Sequence, residues 1–233
     1  MQSLIKENIE VIRKRIEKAA IKAGRNPSDI KLIAVTKNVE PQNIIEAIEA
    51  GVVDFGENRV QELLNKANII EEKSDKNVKW HMIGHLQTNK VKYIVDKITM
   101  IHSLDSLKLA QEIDRKAQKL GKTIDVLIQV NIAEEASKFG LKKNEVLDFV
   151  KTVGSLKNIK VKGLMTIAPF AENPEQVRFV FSGLRKIFID ICRENINNID
   201  MKYLSMGMSN DFEIAIEEGA NIVRIGTAIF GKR

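Results

Sequence analysis

The sequence has few of the residues on which disulfides and metal sites depend. Its single cysteine, Cys192, lies in a stretch with a helical pattern, which excludes a disulfide framework and a cysteine-based metal site. The three histidines have no acidic or cysteine partner at a recognised ligand spacing, so they do not predict a metal site either. We expect them to be core or polar-network residues, in a protein from a reducing compartment.

Aromatic residues are also scarce, at 5% of the chain, and long apolar runs are missing. The net charge of +6 comes from lysines scattered along helical segments, which indicates a solvated surface rather than a nucleic-acid interface. No apolar run reaches the roughly 18 residues that a membrane span requires, and nothing resembles an export signal. We therefore expect no nucleic-acid partner, no membrane span and a cytoplasmic location.

The sequence does contain a regular alternation of short apolar runs and helix-period segments from Ile30 onward. This alternation is typical of repeated βα units around a parallel sheet. Eight runs have strand length, at residues 31–37, 52–58, 78–84, 99–105, 125–131, 161–167, 202–208 and 221–227. They predict a single (β/α)8 TIM barrel domain over residues 1–233. Because only "AIFGKR" follows the last strand, we expect a helix near residues 3–24 to cover the resulting gap.

Polar residues and glycines collect at the carboxyl ends of the predicted strands, where barrels of this type place their binding sites. In strand order they are Lys37; Gly56, Glu57 and Asn58; Gly84 and His85; Asn131; Thr166; Ser205, Gly207 and Ser209; and Arg224, Gly226 and Thr227. Four methionines near the same ends either pack the core or form apolar walls around a flat ring: Met82, Met165, Met206 and Met208.

Lys37 ends the first predicted strand and shares the inward parity of Ile33 and Val35, which points its amine toward the mouth of the barrel. Burial without a carboxylate would lower the pKa of this amine, and a neutral amine condenses with carbonyl groups. Lys37 is therefore a candidate for a Schiff base. A lysine that extends into solvent, or that pairs with Glu57, is an open alternative.

The segments after strands seven and eight read "SMGMSNDFEIAIEEG" and "RIGTAIFG" and lie where barrels often bind phosphate. Gly207 and Gly226 permit close approach of the backbone to a ligand. Asn210 and Glu213 resemble a capping box, which would leave the hydroxyl of Ser209 free for an anion. We prefer a phosphate site; the alternative is two tight turns and a helix cap.

Arg224 has the inward parity of Ile222 and Gly226, and a permanently charged guanidinium inside a barrel needs a partner. One possible partner is a carboxylate such as Glu213 or Asp211. The other is an acceptor on a ligand that lies between the phosphate and the lysine, for which an aromatic nitrogen is suitable.

Five long motifs carry a family resemblance: "AVTKNVEPQNI", "DFGENRVQE", "WHMIGHLQTNK", "GLMTIAP" and "LSMGMSNDFEIAIEEGANIVRIGTAIFG". In this order, and along nearly the whole chain, they resemble the pyridoxal phosphate homeostasis protein family. The resemblance implies a barrel like the N-terminal domain of bacterial alanine racemase. It also implies pyridoxal 5'-phosphate (PLP) bound as an internal aldimine on Lys37.

The resemblance implies roles for further residues. The implied cofactor-binding set is Lys37, Asn58, Met165, Ser205, Gly207, Ser209, Arg224, Gly226 and Thr227. Phosphate contacts are implied for residues 205–209, 226 and 227, and Arg224 is implied to face the pyridine nitrogen. Because Arg224 does not release its proton, the ring should stay uncharged and act as a weak electron sink.

The expected function is to hold PLP, limit free aldehyde and deliver PLP to apoenzymes, as a monomer or weak dimer. Robust catalysis is not expected, because racemisation needs acid and base groups on opposite faces of the substrate, and Tyr93 and Tyr203 are poorly placed. A PLP-dependent racemase or lyase with Lys37 as its sole base is one alternative. A cofactor-free Schiff-base aldolase or phosphosugar isomerase is another.

Overall fold

Eight parallel strands form a closed barrel in a computed structural model that describes residues 3–135, 137–194 and 196–231. Each strand pairs with its neighbours in chain order, and β1 pairs with β8 to close the barrel. The strands are β1 (Lys31–Val35), β2 (Asp54–Glu57), β3 (Lys79–Met82), β4 (Ile98–Leu104), β5 (Ile124–Gln129), β6 (Ile159–Met165), β7 (Ile199–Ser205) and β8 (Ile222–Ile225). The (β/α)8 barrel predicted from the sequence is confirmed.

The α-helices surround this barrel and alternate with its strands. They are α1 (Leu4–Lys22), α2 (Pro41–Glu49), α3 (Val60–Lys73), α4 (Val91–Ile94), α5 (Leu107–Lys119), α6 (Val146–Val153), α7 (Arg178–Arg193), α8 (Phe212–Glu217) and α9 (Thr227–Phe230). Short 3-10 turns lie at Pro27–Asp29, Thr88–Lys90, Lys143–Glu145 and Pro174–Val177. None of the helices within the described ranges is long and apolar enough to cross a bilayer.

The apolar residues divide into two clusters because each strand has one face toward the helices and one toward the barrel interior. The larger cluster joins the strands to the surrounding helices. The smaller cluster contains residues from five different strands, which places it inside the barrel: Ile33, Met100, Leu127, Met165 and Ile222. Met165, one of the implied cofactor residues, therefore packs the barrel interior.

Helix α1 covers the gap left by the short final helix. Its buried isoleucines and alanines lie along one face, and the helix packs against α8, α9 and α2. The side-chain amide of Asn8 donates a hydrogen bond of 2.9 Å to the carbonyl oxygen of Ile229 in α9. Arg15 forms two hydrogen bonds to the carboxylate of Glu213 in α8, of 3.2 and 2.8 Å. The predicted role of the N-terminal helix is confirmed.

Candidate functional site

A cavity of about 770 Å³ lies at the carboxyl ends of the strands. Its size is typical of sites for small molecules. Six of the nine implied cofactor residues line it: Lys37, Asn58, Ser209, Arg224, Gly226 and Thr227. A smaller cavity of about 480 Å³ adjoins it and shares Asn58 and His85. The predicted location of a ligand site at this end of the barrel therefore agrees with the geometry.

Lys37 lies in a turn just beyond β1, where its side chain is exposed and lines the cavity. The turn is held on both sides. Lys66 Nζ donates a hydrogen bond of 2.6 Å to the carbonyl oxygen of Thr36, and the backbone N–H of Asn38 donates one of 2.9 Å to Glu62. Asn38 has φ of 53°, which few residues other than glycine adopt. The burial of Lys37 considered in the sequence-based argument is not observed; the backbone on either side positions it.

A buried ion pair supports this turn. Glu57 has an exposed fraction of 0%, and its carboxylate lies 2.7 Å from the Nζ atom of Lys66, a residue that is 7% exposed. The hydroxyl of Thr36 donates a hydrogen bond of 2.6 Å to the same carboxylate oxygen, and Glu62 accepts one of 3.0 Å from Lys66. We call Thr36, Glu57, Glu62 and Lys66 the Lys66 cluster. Glu57, considered from the sequence as a partner of Lys37, thus has Lys66 as its ion-pair partner.

Backbone amides converge between the ends of β7 and β8. The hydroxyl oxygen of Ser209 accepts hydrogen bonds of 3.3 Å from the N–H groups of both Gly226 and Ala228. Thr227 lies between these amides and lines the cavity. Neighbouring backbone N–H groups with a hydroxyl form a nest of the kind that binds oxyanions. At the predicted phosphate site, two amides thus converge on one oxygen acceptor, which in this structure is the hydroxyl of Ser209.

Two details of this region differ from the prediction. Asn210 and Glu213 do not form a capping box, because α8 begins at Phe212 and Glu213 pairs with Arg15 in α1. The hydroxyl oxygen of Ser209, which was expected to be free for an anion, accepts hydrogen bonds from two backbone amides. The spacing of the two residues suits a capping box, but the carboxylate of Glu213 binds Arg15 of α1 instead.

Arg224 is 4% exposed, and its side chain reaches the cavity. Its Nη1 donates a hydrogen bond of 2.7 Å to the hydroxyl of Ser205, and its Nη2 donates one of 2.9 Å to the carbonyl oxygen of Thr166. Burial lowers the pKa of Arg224 to about 10, although the charge of Asp211 acts in the opposite direction. The guanidinium therefore remains charged at neutral pH. Of the two carboxylates suggested by the sequence as partners, Asp211 favours the charged guanidinium through its own charge, whereas Glu213 pairs with Arg15.

Three implied cofactor residues are absent from the cavity lining in the described part of the chain. Met165 packs inside the barrel. Ser205 is fully buried between Arg224 and His102, whose Nδ1 lies 3.0 Å from the hydroxyl oxygen. Gly207 has φ of 91°, and a Cβ there would lie 2.8 Å from the backbone of α8. These residues shape the surroundings of the site, and their predicted direct contact with the cofactor stays a prediction.

An aromatic pair that was not predicted from the sequence lies at the mouth of the cavity. The rings of His85 and Phe139 stack with their centroids 3.8 Å apart and their planes inclined by 10°. The Nδ1 atom of His85 lies 3.3 Å from the carboxylate of Asp105. The sequence identified His85 as a polar residue at the carboxyl end of a predicted strand. Its stacking partner comes from the segment after β5, so the pair could not be predicted from local sequence.

The other two histidines are fully buried inside the barrel. His81 Nε2 lies 2.9 Å from the carboxylate of Asp54, and His81 Nδ1 lies 3.1 Å from His102 Nε2. Burial lowers the pKa of His81 against the opposing effect of Asp54, and it lowers the pKa of His102 well below its usual range. As expected, they form a polar network. Within the described ranges, no three His, Cys, Asp or Glu side chains are grouped to hold a metal ion.

These two histidines predict a loss of stability in mild acid. Because both pKa values are lowered in the folded chain, the unfolded chain binds more protons below pH about 6.5, and folding is disfavoured as the pH falls. Each histidine can contribute up to about 1.4 kcal/mol per pH unit. The pKa of Asp54 is lowered, so this carboxylate stays ionised there.

Urea titrations above and below pH 6 should show this loss for the wild type. A His81→Gln/His102→Gln double variant should show a clearly smaller dependence of its unfolding free energy on pH. An unchanged dependence would contradict the assignment.

Comparisons with known proteins place the chain in a family. Residues 3–233 match the family described as alanine racemase, N-terminal domain. A pyridoxal phosphate homeostasis protein of Aquifex aeolicus is 47% identical over 227 residues, which cover 97% of each chain. A protein of the same name from Pseudomonas aeruginosa is 40% identical over 232 residues, covering 99% of this chain and 96% of that one.

A solved structure agrees with these sequence matches. PipY of Synechococcus elongatus, determined with PLP bound, is 32% identical and superimposes with a TM-score of 0.85. The aligned region covers 97% of this chain and 100% of that chain. The chain therefore belongs to the pyridoxal phosphate homeostasis protein family, whose barrel is of the alanine racemase N-terminal type.

Proposed function

We propose that this protein binds PLP as a Schiff base on Lys37, and that it acts in PLP homeostasis by holding the cofactor and passing it to apoenzymes. The observation that carries the proposal is the convergence of three chemically different groups on one cavity: an amine, a buried guanidinium and a nest of backbone amides. Relatives at 47% and 40% identity are named pyridoxal phosphate homeostasis proteins.

Each part of PLP has a matching group in the cavity. PLP supplies an aldehyde, which condenses reversibly with a primary amine such as that of Lys37. The amides of Gly226 and Ala228 converge on the hydroxyl oxygen of Ser209, and a phosphate oxygen can take the place of that oxygen while the hydroxyl turns to donate to the phosphate. A guanidinium has five N–H donors, and two of the nitrogens of Arg224 are already engaged by one bond each. N–H groups therefore remain for the acceptor nitrogen of the ring.

The chain's own residues favour binding over catalysis. Arg224 keeps its proton at neutral pH, so it donates a hydrogen bond without charging the ring nitrogen, and the ring stays a weak electron sink. Lys37 is exposed at the cavity, so it would hold the cofactor at a position that another amine can approach. An open, reversible linkage of this kind suits transfer of the cofactor to another protein.

A purified protein mixed with PLP tests the binding step. We expect a violet-absorbing band, and borohydride should fix the adduct on the peptide that contains Lys37. Absence of both the band and the adduct would refute the proposal. For delivery, holo-protein is mixed with a PLP-dependent apoenzyme. Activation no greater than that given by free PLP at the same total concentration would refute delivery alone.

One observation favours a second candidate function, a PLP-dependent racemase or lyase. His85 lines the cavity and is oriented by Asp105, so it offers a possible acid or base besides Lys37. Tyr93 and Tyr203 are not among the described residues that line the cavity. Exchange of the α-hydrogen of amino acids with deuterium by the holo-protein, lost in His85→Gln, would support this second function.

A further inference from the structure

A chain of buried hydrogen bonds leads from Arg224 into the barrel. Arg224 Nη1 lies 2.7 Å from Ser205 Oγ, which lies 3.0 Å from His102 Nδ1. His102 Nε2 lies 3.1 Å from His81 Nδ1, and His81 Nε2 lies 2.9 Å from Asp54 Oδ1. All of these residues are buried. We call Ser205, His102, His81 and Asp54 the histidine relay.

The order of donors along the relay follows from the chemistry of its two ends. Arg224 only donates, so Ser205 Oγ accepts from it and directs its own hydrogen to His102 Nδ1. His102 then carries its hydrogen on Nε2 and donates to His81 Nδ1. His81 in turn donates from Nε2 to Asp54, whose ionised carboxylate only accepts. With both histidines neutral, one arrangement of hydrogens satisfies every contact.

This arrangement has an electrostatic consequence for Arg224. All the donor groups of the relay point away from the guanidinium, so the electron-rich hydroxyl oxygen faces the cation. Hydrogen bonds aligned in one direction polarise one another in a medium of low dielectric constant. The relay therefore supports, together with the negative charge of Asp211, the positive charge of the buried guanidinium.

The far end of the relay lies away from the cofactor cavity. Asp54 is the first residue of β2 and borders a separate cavity of about 560 Å³. Lys31 borders the same cavity, and its Nζ lies 3.7 Å from the carboxylate of Asp54. Lys79 also acts on Asp54 and His81 through its charge.

We propose that His102, His81 and Asp54 are positioning residues for PLP: through Ser205 they fix the orientation and charge of Arg224 toward the ring nitrogen. The proposal rests on the proposed function, since it concerns the residue that faces the ring. Without His102 the Ser205 hydroxyl loses the acceptor that orients it, so its oxygen should be held less firmly toward Arg224 Nη1, and the contact of Nη2 with Thr166 should be the better-fixed of the two. The guanidinium would then donate less effectively to the cofactor.

The test compares His102→Leu and Asp54→Asn with the wild type. His102→Leu removes the centre of the relay, and Asp54→Asn removes the charge at its end while keeping the side-chain size. Both should shift the pH at which the absorption spectrum of bound PLP changes. Both should weaken PLP binding by about tenfold, the contribution of one hydrogen bond between Arg224 and the ring nitrogen. His102→Asn, whose amide oxygen can replace Nδ1 as the acceptor for Ser205, should partly restore both properties.

Asp125→Asn is the matched control. Asp125 is the second residue of β5, a partly buried carboxylate near the same end of the barrel whose pKa is raised by burial, and it lies outside the relay. We expect this variant to keep the wild-type spectrum and affinity.

The outcomes separate the two proposals. If the wild type forms no adduct on Lys37, the proposed function fails. If the wild type binds PLP, but Asp54→Asn and His102→Leu keep its spectrum, pH profile and affinity and lose only thermal stability, the relay is purely structural. That result overturns the inference. If His102→Leu does not fold, the comparison of PLP spectrum and affinity between Asp54→Asn and its control Asp125→Asn decides whether the relay acts on the cofactor.

Discussion

Lys37→Ala is expected to abolish the violet absorption of the PLP complex and the borohydride-stable adduct. The physical reason is that the adduct requires a primary amine within the cavity, and Lys37 provides it from a turn whose backbone is fixed on both sides. The nest at Ser209 and the guanidinium of Arg224 are unchanged in this variant. Residual, non-covalent binding of PLP should therefore remain, with weaker affinity and a free-aldehyde spectrum.

Lys138→Ala is the matched control for this prediction. Lys138 lines the same cavity, but it lies after β5 and pairs with Glu135 at 2.6 Å. Absorbance titration and peptide mapping after reduction should give the wild-type adduct in Lys138→Ala. An adduct that persists at stoichiometric PLP in Lys37→Ala and disappears in Lys138→Ala would reassign the covalent link.

Lys66→Met is expected to lower the free energy of unfolding by about 3–5 kcal/mol, because it leaves a buried carboxylate without its counter-charge. Glu57 has an exposed fraction of 0%, and Lys66 also satisfies the carbonyl oxygen of Thr36. Loss of this bond should loosen the turn that carries Lys37, so formation of the PLP adduct should slow as well. Urea unfolding and stopped-flow absorbance measure the two effects.

The control for this prediction is an exposed ion pair. Lys151 lies 3.1 Å from Glu194, and their side chains are 47% and 42% exposed. Lys151→Met should change stability by less than about 1 kcal/mol. Removal of both charges in Glu57→Gln/Lys66→Met should recover part of the loss, since no uncompensated charge remains. A loss in Lys66→Met no greater than that in Lys151→Met would show that the cluster has no special role.

The barrel could be predicted because its evidence is local. Apolar runs of strand length alternate with helical periods, and polar residues mark the carboxyl ends where a site should lie. The Lys37 turn, Arg224 and the Ser209 region were all identified in this way. The covering role of α1 was predicted as well, and the structure shows α1 packed against α8 and the short helix α9.

The errors and omissions have a common physical cause, which is contact between residues distant in sequence. The spacing of Asn210 and Glu213 suits a capping box, but Arg15 binds Glu213 across 198 positions of the chain. Lys66 has the local pattern of an ordinary helical lysine, and only the packing of α3 against β2 shows it to be buried. The histidine relay likewise depends on the register of four strands, which local periodicity does not determine.

The docking of α1 against α8 and α9 has a consequence for the order of folding. During synthesis this helix leaves the ribosome before α8 and α9, which pack against it and follow it at long sequence separation. Its apolar face thus lacks this part of its native cover until α8 and α9 have been made. Contacts of such long sequence separation slow folding and prolong the exposure of apolar surface, so nascent chains of this protein should depend on chaperones more than their simple βα repeats suggest.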